Sequence, residues 1–509
     1  MTERKRFFYN ATLATIVALT IRTVNLAFSA FISREIGAEA LGLYTLIGTV
    51  YAFAITFATS GINLTVTRLV ASAVGEEKTG EISRIMRHAV GYALIFSVFA
   101  SLVLFFFAPY FSSVALKDVR ATAPLRVLSI SLIPIALSAV FSGYFIGVKK
   151  IVRSSLNQVA SQVFKIVITV LLVLRAAGDG VAAATLALCV STTLCELFSF
   201  AFAFFQYVTT KKPKSYEKCE TEFSAVTGVA LPLAFSAYIR SALLTLEHVL
   251  IPRRLRLFGD SESEALSSYG TLHGMALPVA LYPMTPLSSC ASLLVPEFAE
   301  SEAAANSRRL KRICEEVISA SLKYAAPVCV FIYLFSEEIA YCVYSSYEAG
   351  HYIAFLAPVI PIMYLDHVTD AMLKGIGEQV YSMWVNISDS LLSVFLIWFL
   401  LPKMGISGYA VVIIVMEAYN FILSFIRLKK RVHFSIKSLF SFVLPFIEAI
   451  VSAMIADALF AFSGSLTRPL ELAAKILFSV CIFIALNFSR GLIFKKHTTP
   501  CKEKALIIR

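Results

Sequence analysis

Residues Ala18-Leu19-Thr20-Ile21-Arg22-Thr23-Val24-Asn25-Leu26-Ala27-Phe28 place a single arginine in the middle of an apolar run that extends from 8 to 32. About 20 mainly apolar residues suffice to cross a bilayer core. An arginine at that depth costs about 2.5–3.5 kcal/mol on insertion scales, so it usually faces a bundle interior or a wet cavity. A second isoleucine–arginine pair, Ile239-Arg240, lies in the middle of the seventh such run. Two arginines at matching places predict a cationic cavity and an anionic cargo.

The composition agrees with a membrane setting. The chain has 509 residues, 58% hydrophobic and only 15% charged, against roughly 25% charged in ordinary soluble domains. Fourteen apolar runs reach spanning length, which predicts an all-α polytopic membrane protein with fourteen transmembrane helices. With the N-terminus placed in the cytoplasm, thirty Lys and Arg fall in inner loops and nine in outer ones, the asymmetry that sets topology. Both termini are therefore expected inside. Arg4-Lys5-Arg6 precedes the first run, which is longer than a signal-peptide core, so it is read as a retained span. The basic excess (net charge +12) belongs to these loops and not to nucleic-acid binding. The nine cysteines include no CxxC pair and read as small packing residues.

Two six-span blocks look related. Ile21-Arg22 matches Ile239-Arg240 at an offset of 218, and Arg84-Ile85 matches Arg312-Ile313 at 228. Six is even, so both blocks lie the same way up, the parallel-repeat plan of many transporters. The expected organisation is an N-terminal lobe over 1–208, a cytoplasmic linker over 209–222, and a C-terminal lobe over 223–427. A final helix pair over 438–494 and a cytoplasmic tail over 495–509 follow.

No nucleotide-binding loop, serine-hydrolase elbow or zinc-protease motif is present, so the chain is not expected to be an enzyme. The informative residues are polar groups inside spans. Arg22 and Asn25 share one helix face. Arginine suits phosphate because it stays protonated and offers a fork of donors. Arg22, Asn25, Arg240 and Lys165 form the candidate substrate-binding set. For Arg240 a salt bridge to Glu247 is the competing reading, and for Lys165 snorkelling is. Glu247, Asn386 and Asp389 are candidate ligands for a coupling cation, sodium, with proton coupling the other option. Helix-to-helix hydrogen bonding is the competing role for these three. Pro232, Pro278, Pro283 and Pro286 mark expected hinges in the seventh and eighth spans, with static kinks as the competing reading.

Several stretches carry a family resemblance. Ile21-Arg22-Thr23-Val24-Asn25 with Ser33-Arg34-Glu35-Ile36-Gly37-Ala38 resembles the opening of the MurJ and stage V sporulation protein B flippases. Ser60-Gly61-Ile62-Asn63, Thr67-Arg68-Leu69-Val70-Ala71 and Leu250-Ile251-Pro252-Arg253-Arg254-Leu255 resemble the sporulation branch, as do Tyr269-Gly270, Gly274-Met275-Ala276 and Leu294-Val295-Pro296-Glu297. The resemblance implies the multidrug/oligosaccharidyl-lipid/polysaccharide exporter superfamily, fourteen spans and alternating access. The implied cargo is a polyprenyl-pyrophosphate-linked sugar, probed by Arg22 in the cavity. The expected setting is the bacterial cytoplasmic membrane, with membrane lipids as partners and the chain a monomer. It also implies a lipid-tail groove over 438–494 and a sodium site near Glu247, Asn386 and Asp389. The chain departs from the lipid II flippases after Tyr269, where no arginine follows, and at Ala54-Ile55-Thr56-Phe57. Lipid II is thus one cargo among several lipid-linked precursors. The rivals are a cation-coupled multidrug exporter and a membrane polymerase or ligase of lipid-linked sugars.

Overall fold

The computed structural model describes residues 3–498 apart from 60, 76–78, 149, 177, 211–222, 304–305, 435–439 and 461–467. Most of the linker 209–222 and of the tail 495–509 lies outside the described residues. Among these residues there are helices and no strands, as expected of an all-helical polytopic membrane protein. The helices of the first half are α1 (Glu3–Thr59), α2 (Ile62–Gly75), α3 (Thr79–Tyr110), α4 (Thr122–Gly147), α5 (Ile151–Ala176), α6 (Val181–Thr209) and α7 (Phe223–Phe258). Then come α8 (Glu262–Gly270), α9 (Leu277–Leu281), α10 (Thr285–Ala303), α11 (Ser307–Leu334), α12 (Ser336–Tyr344), α13 (Tyr347–Leu356) and α14 (Ile360–Gly375). The chain closes with α15 (Gln379–Val432), α16 (Phe440–Phe460) and α17 (Arg468–Thr498).

Ten stretches of the described residues are long and apolar enough to cross a membrane, and two of them, 22–74 and 379–432, run to 53 and 54 residues. At 1.5 Å per residue each would extend about 80 Å, well over twice a bilayer core. Each is broken by a glycine. Gly37 (φ 79°, ψ 171°) interrupts α1 and Gly405 (φ 61°, ψ −149°) interrupts α15. Only glycine adopts such angles without a Cβ clash.

The chain packs as two compact units. One comprises 1–30, 271–385 and 410–509; the other comprises 31–270 and 386–409. Each draws helices from both six-span blocks.

In the second unit α2, α3, α4 and α6 pack together. Ile62 and Val70 of α2, Ile85 and Tyr92 of α3, and Phe145 of α4 are almost fully buried. Gly143 and Gly147, one turn apart on α4, let α2 approach to backbone contact. A Cβ at Gly143 would stand 2.6 Å from the Asn63 carbonyl oxygen, and one at Gly147 would stand 2.9 Å from Val70 Cβ. Small residues at this spacing drive association where lipid removes the hydrophobic advantage.

In the first unit Phe298 of α10, Met372 and Leu373 of α14 and Leu428 of α15 share a core with Leu310 and Cys314 of α11. The last pair, α16 and α17, packs on α11 through Ala449, Ala453 and Leu472 against Val330 and Phe331. Lys475 of α17 is buried and gathers Asp457 (2.9 Å), Glu338 (3.2 Å) and Glu471 (3.4 Å). A buried lysine needs such partners.

Candidate functional site

The eighth apolar run is where the first unit departs most from a regular helix. After α8 comes a π-turn over Thr271–Ala276, then the short α9, a 3-10 turn over Tyr282–Met284, and α10. The prolines explain the breaks. Pro278, Pro283 and Pro286 each remove an amide donor, so carbonyls four residues earlier lose their helical partner. Tyr282 oxygen, four before Pro286, instead accepts the Thr285 amide in the 3-10 turn and the Thr285 hydroxyl at 2.7 Å. The Thr285 amide is thereby drawn away from Leu281 oxygen.

Side chains from elsewhere in the unit satisfy the acceptors that result. Arg22 Nη1 donates to Leu281 oxygen at 2.7 Å and to Thr285 Oγ1 at 2.9 Å. Ser29 Oγ donates to Gly274 oxygen, four before Pro278, at 3.4 Å. Tyr364 donates to Ala280 oxygen (3.1 Å) and Tyr324 to Pro283 oxygen (2.7 Å). The Thr23 and Tyr282 hydroxyls share a hydrogen bond of 2.6 Å. In lipid each open carbonyl would cost several kcal/mol, so these bonds are what allow the break.

Arg22 is half-buried. A guanidinium has five N–H donors. The two on Nη1 face the broken segment. Among the described residues Nε and Nη2 have no protein partner. That edge is the one able to grip a phosphate with two parallel hydrogen bonds. Asn25, three residues on, is exposed.

The other predicted residues lie in the second unit. Arg240 is exposed on α7 and makes no ion pair or hydrogen bond among the described residues. The alternative pairing with Glu247 is therefore absent there. Glu247 Oε1 instead accepts from Ser393 Oγ at 2.8 Å. Ser393 lies on α15 one turn beyond Asp389 and two beyond Asn386, so Glu247 does meet the helix face that carries both. Tyr269 and Tyr409 are buried close enough to feel its charge. Among the described residues no group of three or more His, Cys, Asp or Glu is placed to hold a metal ion. Lys165 is half-buried on α5 within electrostatic reach of Glu196 on α6. Pro232 lies in the body of α7.

Reasoning from sequence missed Tyr324, Tyr364, Ser29 and Thr285. The three prolines were the available signal. They imply open carbonyls, and open carbonyls imply donors nearby.

A family model described as polysaccharide biosynthesis protein matches residues 7–302, more than half of the chain. The chain belongs to that family. The polysaccharide biosynthesis assignment covers Arg22 and the whole proline-broken segment. A second model, MatE, matches residues 255–399. Stage V sporulation protein B of Bacillus subtilis (strain 168) is 24% identical over 493 residues, covering 95% of each chain. The lipid II flippase MurJ in an inward closed conformation superposes with a TM-score of 0.69 at 14% identity, over 95% of this chain and 99% of that one. An inward-facing multidrug resistance MATE family transporter of the MOP superfamily superposes with a TM-score of 0.64 at 18% identity, over 82% and 98%. The chain is thus a multi-pass membrane protein of the polysaccharide biosynthesis family with the fold of these transporters.

Proposed function

We propose that this transporter moves a polyprenyl-pyrophosphate-linked sugar across the bacterial cytoplasmic membrane by alternating access. In this reading fourteen spans leave both termini in the cytoplasm, and the six-helix blocks 1–208 and 223–427 alternate about the cargo. The observation that carries it is the geometry of Arg22. Its Nη1 edge is fixed by Leu281 and Thr285, so the opposite Nε/Nη2 edge is held ready for an oxyanion. A pre-oriented fork loses less side-chain entropy on binding than a free one. A pyrophosphate supplies the two adjacent oxygens that such a fork matches. Asn25 and Arg240 join as further contacts, Lys165 as a more distant charge. Pro278, Pro283 and Pro286 supply the flexible point beside Arg22, and Pro232 a second one on α7. The hydrocarbon tail lies along the final helix pair, 438–494. Coupling to sodium or protons is assigned to Glu247, Asn386 and Asp389. No covalent step is needed, and one chain suffices.

The test is flipping of a fluorescent undecaprenyl-pyrophosphate sugar in proteoliposomes. The parent should flip it, Arg22→Ala should flip it roughly 10–100-fold more slowly, and Arg22→Lys should fall between because it keeps the charge without the fork. Equal activity of parent and Arg22→Ala would sink the cavity assignment.

A second reading has its own support. The MatE match and the half-buried acid Glu247 fit a cation-coupled drug exporter. Uptake of a lipophilic cation that survives Arg22→Ala and fails in Glu247→Gln would favour it.

A further inference from the structure

The second unit holds a cavity of about 420 Å³ between the part of α1 beyond Gly37, α3 and α7. Its walls are Val50, Ala54 and Phe57 on α1, Phe99 and Ala100 on α3, and Leu246 on α7, with neighbours of the same kind. The one polar side chain in the lining is Thr245. Its hydroxyl is already committed, donating to Ser241 oxygen at 2.9 Å and Thr49 oxygen at 3.1 Å. Nothing in the wall can therefore recognise a headgroup, a sugar or an ion. Phe57 closes one end, with its ring 5.8 Å from Phe99 and 5.0 Å from Tyr238.

An apolar cavity does not hold water. The cavity also opens sideways. Phe99 and Leu246 line it and are 57% and 46% exposed. On α3 they continue into Ile95, Leu102 and Phe106, an apolar outer face that only a bilayer solvates. The interior is thus a recess of the lipid-facing surface.

We propose that this recess binds one acyl chain of a bilayer phospholipid. Size selects the occupant. An apolar cavity of about 150 Å³ takes one benzene, so this one takes a chain of roughly 15–18 carbons. That is the length of a phospholipid acyl chain and about a third of a polyprenyl tail of some 55 carbons. The recess includes none of the residues assigned above to the cargo, and it needs no assumption about the cargo.

The experiment uses the full-length protein in nanodiscs of phosphatidylethanolamine and phosphatidylglycerol. A small fraction of the phosphatidylglycerol carries a photoactivatable diazirine in mid-chain. Labelled residues are mapped by peptide mass spectrometry. Labelling should concentrate on 96–104 and 242–249, above that on the exposed lipid-facing residues Val163 and Leu171 of α5. Ala100→Phe fills the recess and displaces at least two methylene groups, so labelling there should drop roughly tenfold while α5 is unchanged. Ala242→Phe at the exposed rim closes the mouth instead and serves if Ala100→Phe does not fold. Labelling equal to α5 and unmoved by either variant would show ordinary annular lipid and overturn the site. Competition by undecaprenyl phosphate, with none from unlabelled phosphatidylglycerol, would assign the recess to the cargo's tail and overturn the proposal.

Discussion

Arg22 and Arg240 sit in the same two-residue motif, in corresponding runs of the two blocks, and meet opposite surroundings. Arg22 is half-buried and anchored on one edge by two acceptors. Arg240 is exposed on α7, with no such anchor among the described residues. The motif repeats; the anchor does not. Anchoring needs open carbonyls, and those come from Pro278, Pro283 and Pro286, each of which the earlier block lacks at the matching place. A charge in a span is thus insufficient to predict a site. What distinguishes the two arginines is whether a neighbouring segment offers acceptors that fix the side chain.

The largest expected effect separates them directly. Arg22→Ala removes a charged donor from two acceptors and should cost about 1.5–3 kcal/mol, or roughly 10–100-fold in flipping rate. Arg240→Ala should leave thermal stability within about 0.5 kcal/mol, as at other surface positions. Its flipping rate should fall far less than that of Arg22→Ala. Comparable losses in both would break the comparison.

Next in size is Thr285→Val, which deletes one Arg22 acceptor and keeps shape. About 1 kcal/mol, roughly fivefold, is expected in pyrophosphate-lipid affinity. An unchanged affinity would mean that the anchor does not orient the fork. Glu247→Gln should be milder for folding, because an amide oxygen can still accept from Ser393. Flipping rates measured with and without a sodium gradient would then lose their difference if Glu247 couples transport.

The smallest effect concerns the scaffold that carries Arg22. Glu378, in the connection between α14 and α15, accepts from Arg427 (2.8 Å) and Arg431 (2.5 Å). These guanidiniums, Arg427 foremost, hold its carboxyl below the usual glutamate range. Because the folded value is depressed, the stabilisation is complete above the unfolded value of about 4.3 and is lost as pH falls through the lower folded one. Thermal melts between pH 6 and pH 3 should show a modest acid-side loss that Glu378→Gln abolishes. A melt that loses stability equally in both proteins would place the acid sensitivity elsewhere.

Much of this was legible in the sequence. Helix type follows from apolar run length, and Arg22 stood out because charge is costly in such a run. Pro278, Pro283 and Pro286 announced the break. The anchor itself was not legible, because Arg22 and Leu281 are 259 residues apart and no local pattern encodes their meeting. The competing salt bridge of Arg240 with Glu247 failed for a related reason. Two turns of one helix separate them, yet Ser393 from another helix offers Glu247 a closer partner. In the sequence the positive-φ breaks at Gly37 and Gly405 read as ordinary short loops between spans.

The proline-broken segment has a consequence for biogenesis. A regular span satisfies its own backbone and can enter lipid as soon as it leaves the ribosome. Residues 271–286 cannot, because their carbonyls are capped from outside the segment. Arg22 is made 259 residues earlier, while Tyr324 and Tyr364 are made 41 and 84 residues later than their acceptors. This segment would therefore reach its final state only after synthesis has passed Tyr364.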